Sequence, residues 1–123
     1  MKYLISPEEK SKDWSIDIAD FEAQLLRRWP NAAVERISSP ESFAELVWSV
    51  DRGVGRLYGE VGRNHQVITL EGDITDCAEV AIWFRRQVPP HQSLVLYDEA
   101  YNVDLPLTSK TRTEEIIVAF TVQ

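Results

Sequence analysis

Hydrophobic positions along the chain change period several times, and each change marks an element. Lys2-Tyr3-Leu4-Ile5 alternates as a short strand does, and Ser6-Pro7 ends it. The following polar stretch reads as loop, with Trp14 as an anchor onto the body. From Asp17 the period becomes helical. Ile18, Phe21, Leu25 and Trp29 fall on one stripe, with Leu26 beside it. Asp17 can cap this helix, and Asp20 and Glu22 suit the positive end of its dipole. Arg27 and Arg28 complement the far end, and Pro30-Asn31 stops it.

The centre of the chain reads as antiparallel sheet. Strands are expected over Ala33 to Ile37, Phe43 to Val50, Val54 to Val61 and Gln66 to Leu70. Short connections containing Gly, Asn or Pro separate them, which favours a meander over parallel βαβ units. Asp73 or Thr75 then caps a second helix. Its apolar face is Ile74, Cys77, Ala78, Ala81 and Phe84, widened by Val80 and Trp83. Arg85 and Arg86 complement its C-terminus, and Pro89-Pro90 ends it. Ser93 to Tyr97 is continuously apolar at its core and is expected to be a central strand. Pro106 confines Leu105-Pro106-Leu107 to a sheet edge or a loop. Thr113, Glu114 and Glu115 start a last helix that runs through Phe120.

The order β-α-β-β-β-β-α-β-α predicts an α+β fold over residues 1–123 as one domain. A single antiparallel or mixed sheet carries its helices on one face. No repeat, low-complexity tract or interdomain linker divides it.

Composition narrows the function classes. The 123 residues are 44% hydrophobic, enough for one core without staples. No apolar run reaches the roughly 18 residues of a membrane helix, and the start lacks the long apolar stretch of a signal peptide. The single cysteine, Cys77, excludes an internal disulfide and a thiolate metal cluster. These features point to the cytoplasm. Thirteen basic against 20 acidic side chains give a net charge of −7, concentrated in the C-terminal half. Such a field attracts cationic partners and repels nucleic acid.

Candidate chemistry concentrates in Tyr97-Asp98-Glu99-Ala100-Tyr101-Asn102-Val103-Asp104, where an apolar strand runs into an acidic, tyrosine-bearing loop. Tyr97, Asp98, Glu99, Tyr101 and Asp104 are the candidate binding residues, suited to a basic and partly apolar protein surface. Replacing Asp98 and Asp104 by alanine is expected to weaken that association and leave the fold intact. As an alternative, Asp98 and Glu99 would act as acid and base in a pocket with Tyr97, Tyr101 and His91 around them. Successive strand residues face opposite sides, so one of Asp98 and Glu99 is expected to turn inward. No catalytic residue, metal site or cofactor is assigned. His65 and His91 lack zinc-ligand spacing and read as surface-loop residues, and Cys77 reads as a small core hydrophobe. Gly53, Gly55, Gly59 and Gly62 lie in strand and hairpin sequence, where bulges or close backbone approach explain them better than phosphate binding.

In size, charge and the Tyr97-Asp98-Glu99-Ala100-Tyr101 segment after a core strand, the chain resembles the small acidic α+β immunity proteins with which bacteria neutralise their own toxins. With the preceding helix, the resemblance covers about a third of the chain. It carries over no functional residue. It implies a cytoplasmic inhibitor that covers a basic toxin surface by shape and charge. A homodimer, with Trp14 or Trp48 exposed at its interface, is a further expectation to test.

Overall fold

The computed structural model describes residues 1–9 and 13–121. The polar stretch expected as loop after the first strand therefore falls partly outside the described residues. The elements are β1 (Lys2–Ser6), α1 (Ile18–Arg28), β2 (Ala33–Arg36), β3 (Ala44–Asp51), β4 (Arg56–Gly62), β5 (Ile68–Glu71), α2 (Ile74–Gln87), β6 (Leu94–Asp98), β7 (Asp104–Leu107) and α3 (Thr113–Thr121). The seven strands form one antiparallel sheet in the order β2-β3-β4-β5-β1-β6-β7. The fold is α+β with the three helices on one face of that sheet.

The meander expected from the hairpin sequences is β2 to β5. The N-terminal strand then inserts between β5 and β6, and β6, the Ser93–Tyr97 strand, is paired on both sides, by β1 and β7. β6 lies next to the edge because the Leu105-Pro106-Leu107 segment pairs with it as β7. The apolar run that suggested burial on both sides instead alternates. Leu94, Leu96 and Asp98 point into the core, while Val95 and Tyr97 are only half-buried on the opposite face. Pro106 sits on the outermost strand, where its missing N–H breaks no ladder bond.

Both longer helices start as their sequences dictate. The Asp17 side chain accepts the Asp20 N–H at 2.9 Å, and the Asp73 side chain accepts the Thr75 N–H at 2.8 Å. α1 ends at Arg28, before Pro30, with Trp29 as its C-cap. Arg85 departs from its expected role. It is buried, and its guanidinium donates to the Gln92 and Pro89 carbonyls at 2.8 and 2.7 Å. It thus fixes the turn that carries the chain from α2 into β6.

One core fills the space between the sheet and the helices. Two long cross-strand rows supply most of the sheet's contribution, with the pairs Val50–Leu57 and Leu94–Leu107 beside them. One is Leu46, Val61, Ile68, Ile5, Leu96 and Leu105, and the other is Trp48, Gly59, Leu70, Tyr3 and Asp98. Phe21 of α1 meets Trp48 with ring centroids 5.3 Å apart, and Phe120 of α3 meets Tyr3 edge-on at 5.4 Å. Trp48 is therefore core, only 3% exposed, and not the exposed interface residue the sequence suggested. Its indole lies across Gly59, the position opposite it on β4, where any Cβ would fall 2.1 Å from the ring.

Candidate functional site

Among the described residues no helix covers the second face of the sheet. Register places Glu35, Val47, Glu60, Thr69, Leu4, Tyr97 and Asp104 in one continuous row across all seven strands. At about 4.8 Å between strands the row spans about 29 Å. Its apolar members Leu4, Val47 and Tyr97 are half-buried, and carboxylates stand at both ends. A second row beside it holds Ser49, Tyr58, Glu71 and Lys2. Glu35, Glu60, Glu71 and Asp104 make no ion pair among the described residues. Against them on this face stand Lys2 and Arg56. The surface is therefore acidic, with apolar Val47 on one side of a polar Glu60–Thr69 centre and Leu4 and Tyr97 on the other, as alternation along amphipathic strands allows.

The β6–β7 hairpin brings the five sequence-nominated residues to one corner of the sheet and divides them between its two faces. Tyr97 is on the outer face, where its hydroxyl accepts from the Ser6 hydroxyl at 3.3 Å. Tyr101 stacks on it, with centroids 4.6 Å apart and planes 20° from parallel. Tyr101 stays 69% exposed and has φ of 58°, a left-handed conformation uncommon for a side chain of its size. Its phenol is raised above the ordinary tyrosine value by Tyr97 first, with burial and Asp104 contributing. Asp104 lies directly across from Tyr97 and is exposed, as is Glu99.

Asp98 is the member that turns inward, and it is 2% exposed. Its Oδ1 accepts the Asn102 N–H at 2.8 Å, and its carbonyl accepts the Tyr101 N–H at 3.0 Å. The side chain thus holds the loop that presents Tyr101. Tyr97, Glu99, Tyr101 and Asp104 are available to a partner, and Asp98 shapes the loop beneath them. This revises the expectation that Asp98 can be removed with the fold untouched. His91 is not gathered with them: it precedes the N-terminal end of β6, whereas Asp98 closes the C-terminal end.

One shallow cavity of about 340 Å³ opens on this outer face, lined by Glu35, Val47, Ser49, Tyr58, Glu60 and Glu71 among others, and others lie away from it. The largest, a cleft of about 780 Å³, is lined by Ser15, Asp17, Arg36, Glu45, Arg63 and His65 among others. His65, at φ of 60° in the β4–β5 turn, hydrogen-bonds through Nε2 to Glu45. Arg63 donates to the carbonyls of Ile37, Ser39, Ser42 and Ala44 and to Glu45. Its donors are engaged in pinning the β2–β3 connection. Ser15 and Ser38 line the cleft, yet neither is hydrogen-bonded to His65 among the described residues. The Glu45–His65 pairing escaped sequence reasoning because it joins strand to turn across 20 positions. Only the β3–β4 register could have signalled it. No group of three His, Cys, Asp or Glu side chains among the described residues could hold a metal ion. Nor is any described helix long and apolar enough to cross a membrane.

Comparison with protein-family models, with curated proteins and with solved structures gives no match to this chain.

Proposed function

We propose that the protein is a non-enzymatic binding module that presents its uncovered sheet face, centred on Tyr97 and Tyr101, to a basic protein. The observation that supports this reading is the cross-strand row that mixes the apolar Val47, Leu4 and Tyr97 with carboxylates in no ion pair among the described residues, on the sheet face that the helices leave open. The stacked tyrosines offer rigid apolar area with hydroxyl groups at the rim, the type of anchor that dominates interfaces. The carboxylates supply steering and selectivity toward cationic surfaces. If the resemblance to immunity proteins extends to function, the partner is a basic toxin and occupation of its surface neutralises it.

The test uses the full chain as bait in a low-salt lysate, followed by affinity measurements on the protein retained. Wild type is compared with Tyr101→Ala, with Glu60→Gln plus Glu71→Gln, and with Gln24→Ala on the helical side as a control. Binding at least tenfold weaker for the two outer-face variants, unchanged for the control and reduced by salt, supports the reading. Binding indifferent to the outer-face substitutions, or no retained protein, overturns it.

A further inference from the structure

We infer that the crevice between α1 and α2 is a binding site for a small alkylated ammonium group, on the opposite side of the sheet from the proposed protein-binding face. The crevice measures about 140 Å³ and is walled by Trp14, Phe21, Trp83 and Phe84. An apolar cavity of about 150 Å³ is enough for a molecule the size of benzene, so a compact tetraalkylated nitrogen fits this space. The rings pack tilted or edge to face into one contiguous wall: Trp14 to Phe84 centroids are 6.4 Å apart, Phe21 to Phe84 6.0 Å and Phe21 to Trp83 5.5 Å. Trp14 and Trp83 both remain partly exposed, so the packing of the core does not use up their surfaces.

The wall is held in place from behind. The Ile16 N–H donates to the His65 carbonyl at 2.6 Å, and the Gln66 side-chain amide donates to the Trp14 carbonyl at 2.8 Å. The segment carrying Trp14 is thereby tied to the β4–β5 turn, and the aromatic wall exists before any ligand arrives. Preorganisation of this kind reduces the cost of binding.

Charge selects among ligands of this size. Asp17 and Asp20 stand at the mouth, and no lysine or arginine lines the crevice. Asp17 uses Oδ1 to cap α1, leaving its second oxygen available, and Asp20 makes no ion pair among the described residues. The two carboxylates oppose the positive end of the α1 dipole at this mouth and repel an anion. Aromatic faces attract a cation, tryptophan most strongly. An alkylated nitrogen spreads its charge over methyl groups and enters such a site with little lost hydration, unlike a bare ammonium.

The experiment titrates the full chain with tetramethylammonium chloride while following the tryptophan indole N–H signals by NMR, with sodium chloride holding ionic strength constant. Neopentyl alcohol serves as the neutral molecule of similar shape. Saturable shifts at Trp14 and Trp83 with tetramethylammonium, much weaker ones with the alcohol, and at least a threefold loss of affinity in Asp20→Asn support the site. Asp20 is exposed, so that variant tests charge without endangering the core, and Trp14→Ala should abolish the saturable shift. Choline and a trimethyllysine peptide, as further arms, distinguish a free ligand from a modified chain. Linear shifts only, equal affinity for the neutral alcohol, or an unaffected Asp20→Asn would overturn it.

Discussion

Asp98 gives the sharpest test of how the candidate face is built. Replacing it with alanine removes the acceptor for the Asn102 N–H, a bond of 2.8 Å from a side chain only 2% exposed. Hydrogen bonds to charged groups contribute about 1.5–3 kcal/mol. Asn102 is itself exposed, so water can recover part of that loss, and the expected cost is about 1–2 kcal/mol. The left-handed Tyr101 is stabilised by the same turn, by its stack and side-chain hydrogen bond with Tyr97, and by its bond to the Asp98 carbonyl. Loop order should therefore fall more than global stability. Asp98→Asn keeps an acceptor oxygen and should cost less than the alanine change. Urea unfolding measures the global term, and amide hydrogen exchange at Tyr101 and Asn102 measures the local one. A midpoint within about 0.5 kcal/mol of wild type, with unchanged exchange at both amides, would refute the assignment. Confirmation would mean that binding lost in Asp98→Ala reports a disordered loop, so Glu99 and Asp104 are the positions at which to remove charge from this corner.

Two further outcomes follow from the core. Gly59→Ala would place a Cβ 2.1–2.5 Å from three atoms of the Trp48 indole, which is buried and packed on Phe21. It should destabilise by about 3 kcal/mol or more, and less than additively with Trp48→Leu; a urea midpoint near wild type would sink the close-approach argument. Burial, helped by Asp76 and Asp73, pushes the Cys77 thiol up to about 12. The folded chain then holds this proton after the unfolded chain has released it, so stability is full below about pH 8.5 and declines above it by up to about 1.4 kcal/mol per pH unit. Tyr3, also raised chiefly by burial, adds to the decline above its unfolded value. Urea midpoints at pH 8 and pH 10.5 measure it; no difference, or one that Cys77→Ala leaves undiminished, would refute the thiol's part.

Local patterns made most elements legible because caps and periodicities are short-range. Asp17 and Asp73 start their helices where a carboxylate must, and the stripe of Ile18, Phe21 and Leu25 is the buried face of α1. Strand order was not legible in the same way. The insertion of β1 between β5 and β6 depends on contacts spanning most of the chain, and nothing in Lys2–Ser6 names its neighbours. Misreading β6 had a specific cause. Val95 and Tyr97 look like core in sequence, yet they belong to an outer face where apolar side chains shield one another. The same ambiguity split the candidate site. Period-two alternation predicted that Asp98 or Glu99 turns inward, but only the register that sets Asp98 across from Tyr3 decides which.

The uncovered face also constrains how this chain can meet itself. A dimer through that surface would bring Glu35, Glu60, Glu71 and Asp104 of one copy against the same carboxylates of another, with Lys2 and Arg56 the basic groups on the face among the described residues to offset them. Like charges brought together in a partly desolvated interface are unfavourable, whereas a basic partner converts the same groups into attraction. Salt acts on the two associations with opposite sign. Screening weakens attraction to a cationic protein and relieves repulsion between copies. The salt dependence of association thus separates the two uses of the face: a complex that loosens as ionic strength rises is the one this charge pattern favours. The α1–α2 crevice lies across the sheet from those carboxylates and shares no lining residue with the outer rows. Substitutions on one side should therefore leave affinity at the other nearly unchanged.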